Sequence, residues 1–320
     1  MSEPTRTSIT RREAVLRLSS AAIAGVAVGG GVLAFHDRRT VTAGAPAPPD
    51  WRVPGAAVAT VAVRGADPAA NVRRAIAALG GIERFVRRGE RVLIKPNVGW
   101  DRLPEQAANT DPDVVAELVR LCRAAGAARV VVADISCNDH RRCFARSAIG
   151  PRATEAGAEV IPGHALSLVP ATVAGLASGL EVIEELFKAD RVINVPVVKH
   201  HGLSRATLGM KNWFGVLGAG RNRLHQSIHR AVAELGASFR PTLTVVDATR
   251  ILTANGPQGG SLGDVRTVGA LCAGTDPVAC DAWGAAQLGL DPHALAFIVE
   301  AEQRGLGRSD LTLVKELGTA

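Results

Sequence analysis

The chain has 320 residues, of which 47% are hydrophobic and 21% charged, enough for a sizeable buried core. Its formal charge is +7, but residues 1–45 hold six arginines and three acids, so the remainder carries +4. Aromatic residues make up only 3%, tyrosine is absent and the basic residues are dispersed, which argues against nucleic-acid binding. No regular internal repeat is present, which excludes a solenoid.

The N-terminal segment differs in kind from the rest. Residues 10–17 contain Arg11 and Arg12 and precede an uncharged run, 18–35, that is rich in Ala, Gly and Val. This pattern resembles a twin-arginine export signal, which implies a protein of the periplasm or cell surface. The alternative is a membrane anchor, because the run is just long enough to cross a bilayer. We therefore divide the chain into a signal or anchor with linker, 1–45, and a single domain, 46–320.

From residue 50 onward, short aliphatic runs alternate with amphipathic stretches. This alternation predicts an α/β fold with a mainly parallel or mixed sheet and helices on both faces. The predicted strands are 57–63, 91–95, 129–134, 159–162, 191–198 and 242–247. The predicted helices are 69–79, 112–125, 145–156, 179–187 and 224–238, with a further helix beginning near Asp276. The run 267–272 is either a strand at the sheet edge or part of a small subdomain, and 310–314 is a last short strand.

Polar side chains follow several of these strands. In open α/β sheets, ligands bind outside the carboxyl ends of the strands. Lys95 and Asn97 end one predicted strand, and Lys199, His200 and His201 follow another. Asp and Asn are common in the solvated turns that follow strands, so they need no functional explanation there. This preference does not explain a lysine before a proline or two histidines after a lysine. These ends therefore mark the predicted site.

Blocks of sequence between residues 90 and 290 resemble, in order, the family called domain of unknown function 362. They include Ile94-Lys-Pro-Asn97, Ile193-Asn-Val-Pro-Val-Val-Lys-His-His201 and Met210-Lys-Asn-Trp-Phe-Gly215. The resemblance implies a mixed α/β layer structure and supplies no activity. Some members carry ferredoxin-like iron-sulfur segments. This chain has no Cys-x-x-Cys-x-x-Cys run, so we do not expect it to hold an iron-sulfur cluster alone.

Two of the five cysteines lie close in sequence, Cys137 and Cys143. In an exported protein they would either close a small disulfide loop or remain free thiols, and sequence does not choose between these states.

The first hypothesis for the site is a pocket that binds an anion. Lysines supply point charges and asparagines supply directional donors, a combination suited to carboxylate or phosphate oxygens. A histidine that faces the pocket would transfer protons near neutral pH, and strand alternation allows one of the two histidines to do so. The predicted catalytic residues are His200 and Lys199. The predicted substrate-binding residues are Lys95, Asn97, Asn194, Lys211, Asn212 and Asp247.

The second hypothesis is a metal site. His225 and His229 are four residues apart on a predicted helix, so both rings would project from one face. The alternative is a surface helix whose histidines lie among arginines.

The sequence thus predicts an exported enzyme, or an accessory of redox metabolism, that acts on a small anionic substrate. The alternative is a non-catalytic protein of the cell envelope that binds an anion or a metal. The expected cofactor is unknown, with a metal ion as the candidate. The expected partners are a small anionic ligand, the twin-arginine export machinery and, for an accessory role, a redox partner protein. Substrate, reaction and oligomeric state are not predicted.

Overall fold

The structure is a computed structural model that describes residues 44–176 and 179–318. The predicted export segment, up to residue 43, lies outside the described residues. Within the described ranges, none of the helices has the length and apolar character needed to span a bilayer.

Twelve strands are present in the described part of the chain. They are β1 (Thr60–Arg64), β2 (Arg91–Pro96), β3 (Arg129–Asp134), β4 (Glu159–Pro162), β5 (Leu168–Ala171), β6 (Leu180–Ile183), β7 (Arg191–Val195), β8 (Val197–His201), β9 (Arg205–Thr207), β10 (Leu243–Leu252), β11 (Val265–Gly274) and β12 (Val314–Leu317).

Ten of the strands form one mixed sheet, in the order β12-β1-β11-β10-β7-β2-β3-β4, with β8 paired to β10 and β9 paired to β8. β11 runs antiparallel to both its neighbours and β9 runs antiparallel to β8, whereas the other pairs are parallel. The carboxyl ends of β2, β3, β8 and β10 therefore meet at one edge of the sheet. β5 and β6 form a separate antiparallel pair.

Helices cover both faces of this sheet. They are α1 (Pro68–Ala78), α2 (Pro112–Ala124), α3 (His140–Arg146), α4 (Ile149–Glu155), α5 (Glu185–Lys188), α6 (Gly209–Asn212), α7 (Ile228–Ser238), α8 (Pro277–Gln287) and α9 (Ala296–Gln303). One buried cluster contains residues of α1, α2 and α4, and the other contains residues of α7, α8 and α9. Along β3, Val130 and Val132 belong to the first cluster and Val131 and Ala133 to the second, because successive side chains of a strand point to opposite faces. The predicted fold class is confirmed.

Several predicted elements differ in detail. The strand predicted at 191–198 is two strands, β7 and β8, separated by Pro196, which has no N–H to donate to a neighbour. The helix predicted at 145–156 is interrupted by Ala148, whose φ of 60° is left-handed. The run 267–272 belongs to β11, which lies between β1 and β10 and not at an edge.

The helix predicted at 179–187 is wrong. Residues Leu180–Ile183 form β6, paired with β5, and only the single turn Glu185–Lys188 is helical. Leu180 and Val182 are buried while Glu181 between them is partly exposed, which is the alternation of a strand. The helix predicted at 224–238 begins only at Ile228, after a 3₁₀ segment, Arg221–Ser227.

Candidate functional site

Lys95 lies at the centre of a polar cluster at the carboxyl end of β2. Its side chain is fully buried, and Nζ donates to Asp134 Oδ1 at 2.6 Å, to the Pro96 carbonyl at 2.8 Å and to Asn212 Oδ1 at 3.2 Å. The second oxygen of Asp134 accepts from the Val98 amide at 2.6 Å. Burial lowers the pKa of Lys95 and the carboxylate of Asp134 opposes this shift. Three acceptors, one of them a carboxylate, suit a protonated ammonium.

A chain of three amide side chains connects β2 and β7 to the short helix α6. Asn97 donates to Asn212 Oδ1 at 2.9 Å, and Asn212 donates to Asn194 Oδ1 at 2.8 Å. Asn194 in turn donates to the carbonyl of Gly209 at 2.9 Å. Asn212 uses both its amide oxygen and its amide nitrogen in these bonds, so its orientation beside Lys95 is fixed.

Helix α6 is also held at its first two residues by Asp281 of α8. The Asp281 carboxyl accepts from the backbone N–H of Gly209 at 2.6 Å and of Met210 at 3.1 Å. Burial raises the pKa of Asp281 to about 7. A Cβ at position 209 would lie 2.8 Å from Asp281 Oδ1, so the close approach requires glycine. This anchoring places Lys211 and Asn212 at the end of the sheet.

Strand β8 places Lys199 and His201 on one face, since they are two residues apart. His201 Nδ1 accepts from the amides of Leu203 at 3.1 Å and Ser204 at 3.2 Å. Burial, together with the charges of Lys211 and Lys199, lowers the pKa of His201 to about 3. The ring is therefore neutral, and Nε2 carries its proton.

His200, the predicted catalytic histidine, lies on the opposite face of β8. Its Nδ1 accepts from the amide of Gly256 at 3.1 Å, and its side chain lines a separate cavity of about 250 Å³ with Arg205 and Leu288. The structure therefore does not bring His200 together with the other predicted residues, because the alternation that places Lys199 on one face places His200 on the other.

A cavity of about 460 Å³ opens where β2, β3, β8 and α6 meet. Its volume is in the range of small-molecule sites. It is lined by Asn97, Gly99, Trp100, Asp134, Ile135, Cys137, Lys199, His201, Thr207, Lys211, Asn212, Phe214, Gly215, Arg221, Asn222, His225 and Pro257. Of the predicted residues, Asn97, Lys199, Lys211, Asn212 and His225 line it. Lys95 and Asn194 lie behind this lining.

The two lysines of the cavity differ in their contacts. Lys199 Nζ donates to Asn97 Oδ1 at 2.8 Å and to the carbonyl of Ala108 at 2.5 Å. Burial lowers its pKa to about 7. Lys211 Nζ lies 4.2 Å from the centroid of the Phe214 ring, and the described residues offer it no hydrogen-bond acceptor. Burial lowers the pKa of Lys211 to about 8.

Arg221 is the third cation of the cavity. Its guanidinium donates to the carbonyls of Ile135 at 3.0 Å, Ser136 at 3.1 Å and Phe214 at 3.3 Å. These bonds fix the guanidinium in place and leave its charge without a counterion in the described ranges.

The balance of charge in the cavity is positive. In the part of the chain that the structure describes, Lys199, Lys211 and Arg221 form no ion pair with a carboxylate. Asp134 also lines the cavity, but its two oxygens are taken by Lys95 and a backbone amide. The arrangement can hold an anion.

Asp247, a predicted substrate ligand, does not line the cavity. It is buried at β10 and accepts from the amides of Asp111 at 2.7 Å and Thr249 at 2.8 Å. Burial, with the nearby charge of Asp111, raises the pKa of Asp247 to about 6. Its contacts hold the residue that caps α2.

The glycine-rich loop 255–260 contributes Pro257 to the cavity wall. Its amides are used elsewhere: Gly256 donates to His200, and Gly259 donates to the Asn255 carbonyl at 3.1 Å. A Cβ at position 256 would lie 2.0 Å from the His200 carbonyl oxygen, so glycine is required there. These two amides are therefore not free to bind a ligand.

His225 and His229, the predicted metal pair, contact different neighbours. The His225 ring lies edge-on to Phe214 at 5.1 Å and stacks with His201 at 6.4 Å. His229, on α7, stacks on Phe297 at 6.1 Å. The 3₁₀ segment that carries His225 has about three residues per turn, so residues four apart no longer align. Among residues 44–176 and 179–318, no group of three His, Cys, Asp or Glu residues is arranged to hold a metal ion.

All five cysteines are free thiols. Cys137 is exposed and lines the cavity, with Arg221 Nη2 3.9 Å from its Sγ, whereas Cys143 is buried on α3.

Sequence reasoning missed several residues of the cavity. His201 was recoverable, because it shares a strand face with Lys199. Thr207 is 4% exposed, and its hydroxyl oxygen is buried without a partner among the described residues. A Cβ at Gly215 would lie 1.9 Å from Asp134 Oδ1 and 2.7 Å from Lys95 Nζ, so the ion pair needs glycine there. No local pattern indicates these last two roles.

Comparison with known proteins identifies the family. Residues 92–286 match the family described as domain of unknown function (DUF362), and the chain belongs to it, as the sequence blocks predicted. It is 28% identical over 249 residues to thylakoid-associated protein sll1697 of Synechocystis sp., with 74% of this chain and 75% of that protein covered.

Two solved structures are similar at low identity. The lactate racemase apoprotein from Thermoanaerobacterium thermosaccharolyticum gives a TM-score of 0.44 at 13% identity, over 75% of this chain and 58% of that one. A protein from Thermotoga maritima gives 0.35 at 12% identity, over 76% of this chain and 60% of that one. The chain therefore spans less than two thirds of either structure.

Proposed function

We propose that this member of the DUF362 family is an enzyme that binds a small anionic substrate in the cavity at the carboxyl edge of the sheet. One observation carries the proposal: Lys199, Lys211 and Arg221 line that cavity, and none of them has a carboxylate partner among the described residues. A carboxylate or phosphate group of the substrate would be that partner.

The energetic argument concerns burial. Removing a cation from water costs several kcal/mol unless an opposite charge or hydrogen bonds offset it, and an ammonium with no acceptor is costly to hold. Lys211 is 6% exposed, and among the described residues its ammonium has the face of Phe214 as its one partner. A bound anion would offset the cost of burying this ammonium. Binding sites commonly hold charges that destabilise the protein when no ligand is bound.

The preference for an enzyme over a binding protein rests on protonation. Burial lowers the pKa of Lys199 to about 7, so its charged and neutral forms coexist at neutral pH. A group in that condition suits proton transfer, whereas a binding site needs only a fixed charge. The rival function, a non-catalytic anion-binding protein of the cell envelope, would use the same cations without the proton transfer.

Thermal protection tests the anion site. Phosphate, acetate and succinate at millimolar concentration should raise the melting temperature of the wild-type protein, and Lys211→Met should lose that rise. Lys315→Met, at an exposed position of β12, removes a lysine that does not line the cavity and should keep the rise. Equal protection in wild type and Lys211→Met would remove Lys211 from the site.

Hydrogen exchange separates the enzyme from the rival. Small carboxylic and 2-oxo acids incubated in D₂O with the protein should gain deuterium at carbon next to the carboxyl or carbonyl group, followed by NMR. Lys199→Met should abolish the gain. Acids that protect the wild-type protein from heat but exchange no hydrogen would support the binding protein instead.

We also propose that residues 1–45 direct export by the twin-arginine route. A relative that is described as thylakoid-associated accords with a protein that acts at or beyond a membrane. A reporter fused after residue 45 should be exported, and Arg11→Lys with Arg12→Lys should retain it in the cytoplasm. Arg38→Lys with Arg39→Lys, beyond the apolar run, is the matched control. Export that survives the first pair of changes would contradict the proposal.

A further inference from the structure

The chain uses lysine sparingly. Only five of its 37 Lys and Arg residues are lysines, and three of the five, Lys95, Lys199 and Lys211, are buried together at the end of the sheet. Arginine stays charged in proteins, whereas a buried lysine readily loses its proton. In a chain that otherwise prefers arginine, the end of the sheet therefore concentrates the basic groups that are able to lose a proton.

The contacts of Lys95 and Lys199 distinguish an ammonium from an amine. Lys95 has three acceptors, one of them the carboxylate of Asp134, and so accounts for three N–H groups. Lys199 has two acceptors, both neutral, Asn97 Oδ1 and the Ala108 carbonyl. Two acceptors satisfy both hydrogens of a neutral amine and leave its lone pair without a partner in the described part of the chain.

We propose that Lys199 Nζ is a nucleophile that forms an imine with the carbonyl carbon of a small 2-oxo acid. This inference rests on the proposed function, and it names the substrate class and the covalent step. Lysines that act in this way are desolvated or lie next to a second cation, and Lys199 meets both conditions through its burial and the neighbouring Lys211.

The cavity suits the other groups of such a substrate. Lys211 and Arg221 supply charge for the carboxylate, and the face of Phe214 supplies an apolar wall. The buried hydroxyl of Thr207 has no partner among the described residues and is therefore available to the oxygen of the carbonyl group. A 2-oxo acid presents these three features, anion, short apolar body and carbonyl, within a few bonds.

The step balances without a further reactant. The Lys199 lone pair attacks the carbonyl carbon, the C=O electron pair moves to oxygen, and a proton passes from nitrogen to that oxygen to give a carbinolamine. The Lys211 ammonium then gives a proton to the hydroxyl group, which leaves as water, while the nitrogen lone pair forms the C=N bond. The product is a protonated imine and a neutral Lys211 amine, which regains its proton from solvent.

Reductive trapping tests the inference. The full chain is incubated with pyruvate and sodium borohydride, which reduces the imine to a stable secondary amine, and the modified lysine is located by peptide mass spectrometry. We expect modification of Lys199 to exceed that of any other lysine by about tenfold or more. Lys199→Arg keeps N–H donors for Asn97 and the Ala108 carbonyl but cannot form an imine, so it should abolish the modification.

Propionate, which has the shape of pyruvate without the carbonyl, separates this inference from the anion site. Thermal protection by propionate without trapping at Lys199 by pyruvate would overturn the inference and leave the anion site standing. Trapping concentrated at Lys211 or at the exposed Lys315 would overturn the assignment of the nucleophile. Neither protection nor trapping would overturn both proposals.

Discussion

Lys95 and Lys211 approach the same end of the sheet, and their surroundings are opposite. Lys95 is enclosed by Asp134, a carbonyl and an amide, with every N–H of its ammonium satisfied. Lys211 faces the Phe214 ring and the cavity, and residues 44–176 and 179–318 supply it with no counterion. A buried pair that is complete resists change, because removing one partner leaves an uncompensated charge.

The difference teaches that burial alone does not identify a site residue. Lys95 is the more buried of the two and is held by three bonds, so its contribution is structural: it fixes Asp134 and Asn212 at the cavity wall. Lys211 is the lysine whose ammonium is available to a ligand in the cavity. The two regions should therefore respond to substitution with effects of opposite sign.

The largest effect is expected on the Lys95 side. A Cβ at Gly215 would lie 1.9 Å from Asp134 Oδ1 and 2.7 Å from Lys95 Nζ, so Gly215→Ala must separate the pair. We expect it to lower the free energy of unfolding by about 3–5 kcal/mol, measured by denaturant titration. Gly202→Ala, where a Cβ meets nothing within 4 Å, is the control. A Gly215→Ala protein as stable as that control would show that the pair is not tightly enclosed.

The next effect is a dependence of stability on pH. Burial lowers the pKa of Lys199 to about 7, below its ordinary value near 10.4. Between these two pH values the unfolded chain binds more protons than the folded one. The free energy of unfolding of the wild-type protein should therefore rise from about pH 7 to pH 10, by roughly 1 kcal/mol per pH unit. Below pH 7 the lysine is charged in both states and the rise stops.

Melting temperatures of the wild type and Lys199→Met across this pH range check the expectation. The variant should show a shallower rise, and Lys315→Met should show that of the wild type. Parallel curves for Lys199→Met and wild type would mean that Lys199 titrates normally.

A smaller effect, of opposite sign to that of Gly215→Ala, is expected at Lys211. Lys211→Met replaces a buried ammonium lacking a described counterion with an apolar side chain of similar length. The free energy of unfolding should rise by about 1 kcal/mol, the gain from removing the buried charge being reduced by the lost contact with Phe214. Denaturant titration without added anions measures it. A loss of several kcal/mol would place Lys211 in the same structural class as Lys95.

The smallest effect reports the potential of the cavity itself. Cys137 is the exposed cysteine of the five and lines the cavity. A negatively charged methanethiosulfonate should modify it about threefold to tenfold faster than a positively charged one at low salt, because of the surrounding cations. High salt should reduce the ratio. Lys211→Met should also reduce the ratio. A ratio that changes neither with salt nor with this substitution would contradict a cationic cavity.

Much of the fold and part of the cavity lining follow from local patterns. The polar ends of β2 and β8 were predictable, because one apolar run ends at Lys95 and another ends at Lys199. Parallel strands bring such ends to one edge of the sheet. His201 needed one more step, the period of two counted from Lys199. Alternation allowed one of the two histidines to face the cavity, and it is His201, not the predicted His200, that shares a strand face with Lys199.

The remaining parts depend on contacts between distant segments. Arg221 reaches the cavity through the carbonyls of Ile135 and Ser136, more than eighty residues earlier in the chain. The 3₁₀ geometry before α7, which separates His225 from His229, has no sequence pattern as clear as a helical one. The four residues of β6 give too short a strand pattern for the sequence to separate it from the helical turn that follows, Glu185–Lys188.

The anchoring of α6 separates what this protein can vary from what it must keep. Asp281 and Asn194 both bind Gly209 at the start of this helix, so substitutions there would move Lys211 and Asn212 together. Asn222, His225 and Pro257 also line the cavity, and they lie in connecting segments between the main helices and strands. Under the proposed function, relatives with substrates of other sizes should therefore differ at Asn222, His225 and Pro257, while Arg221 and α6 stay constant.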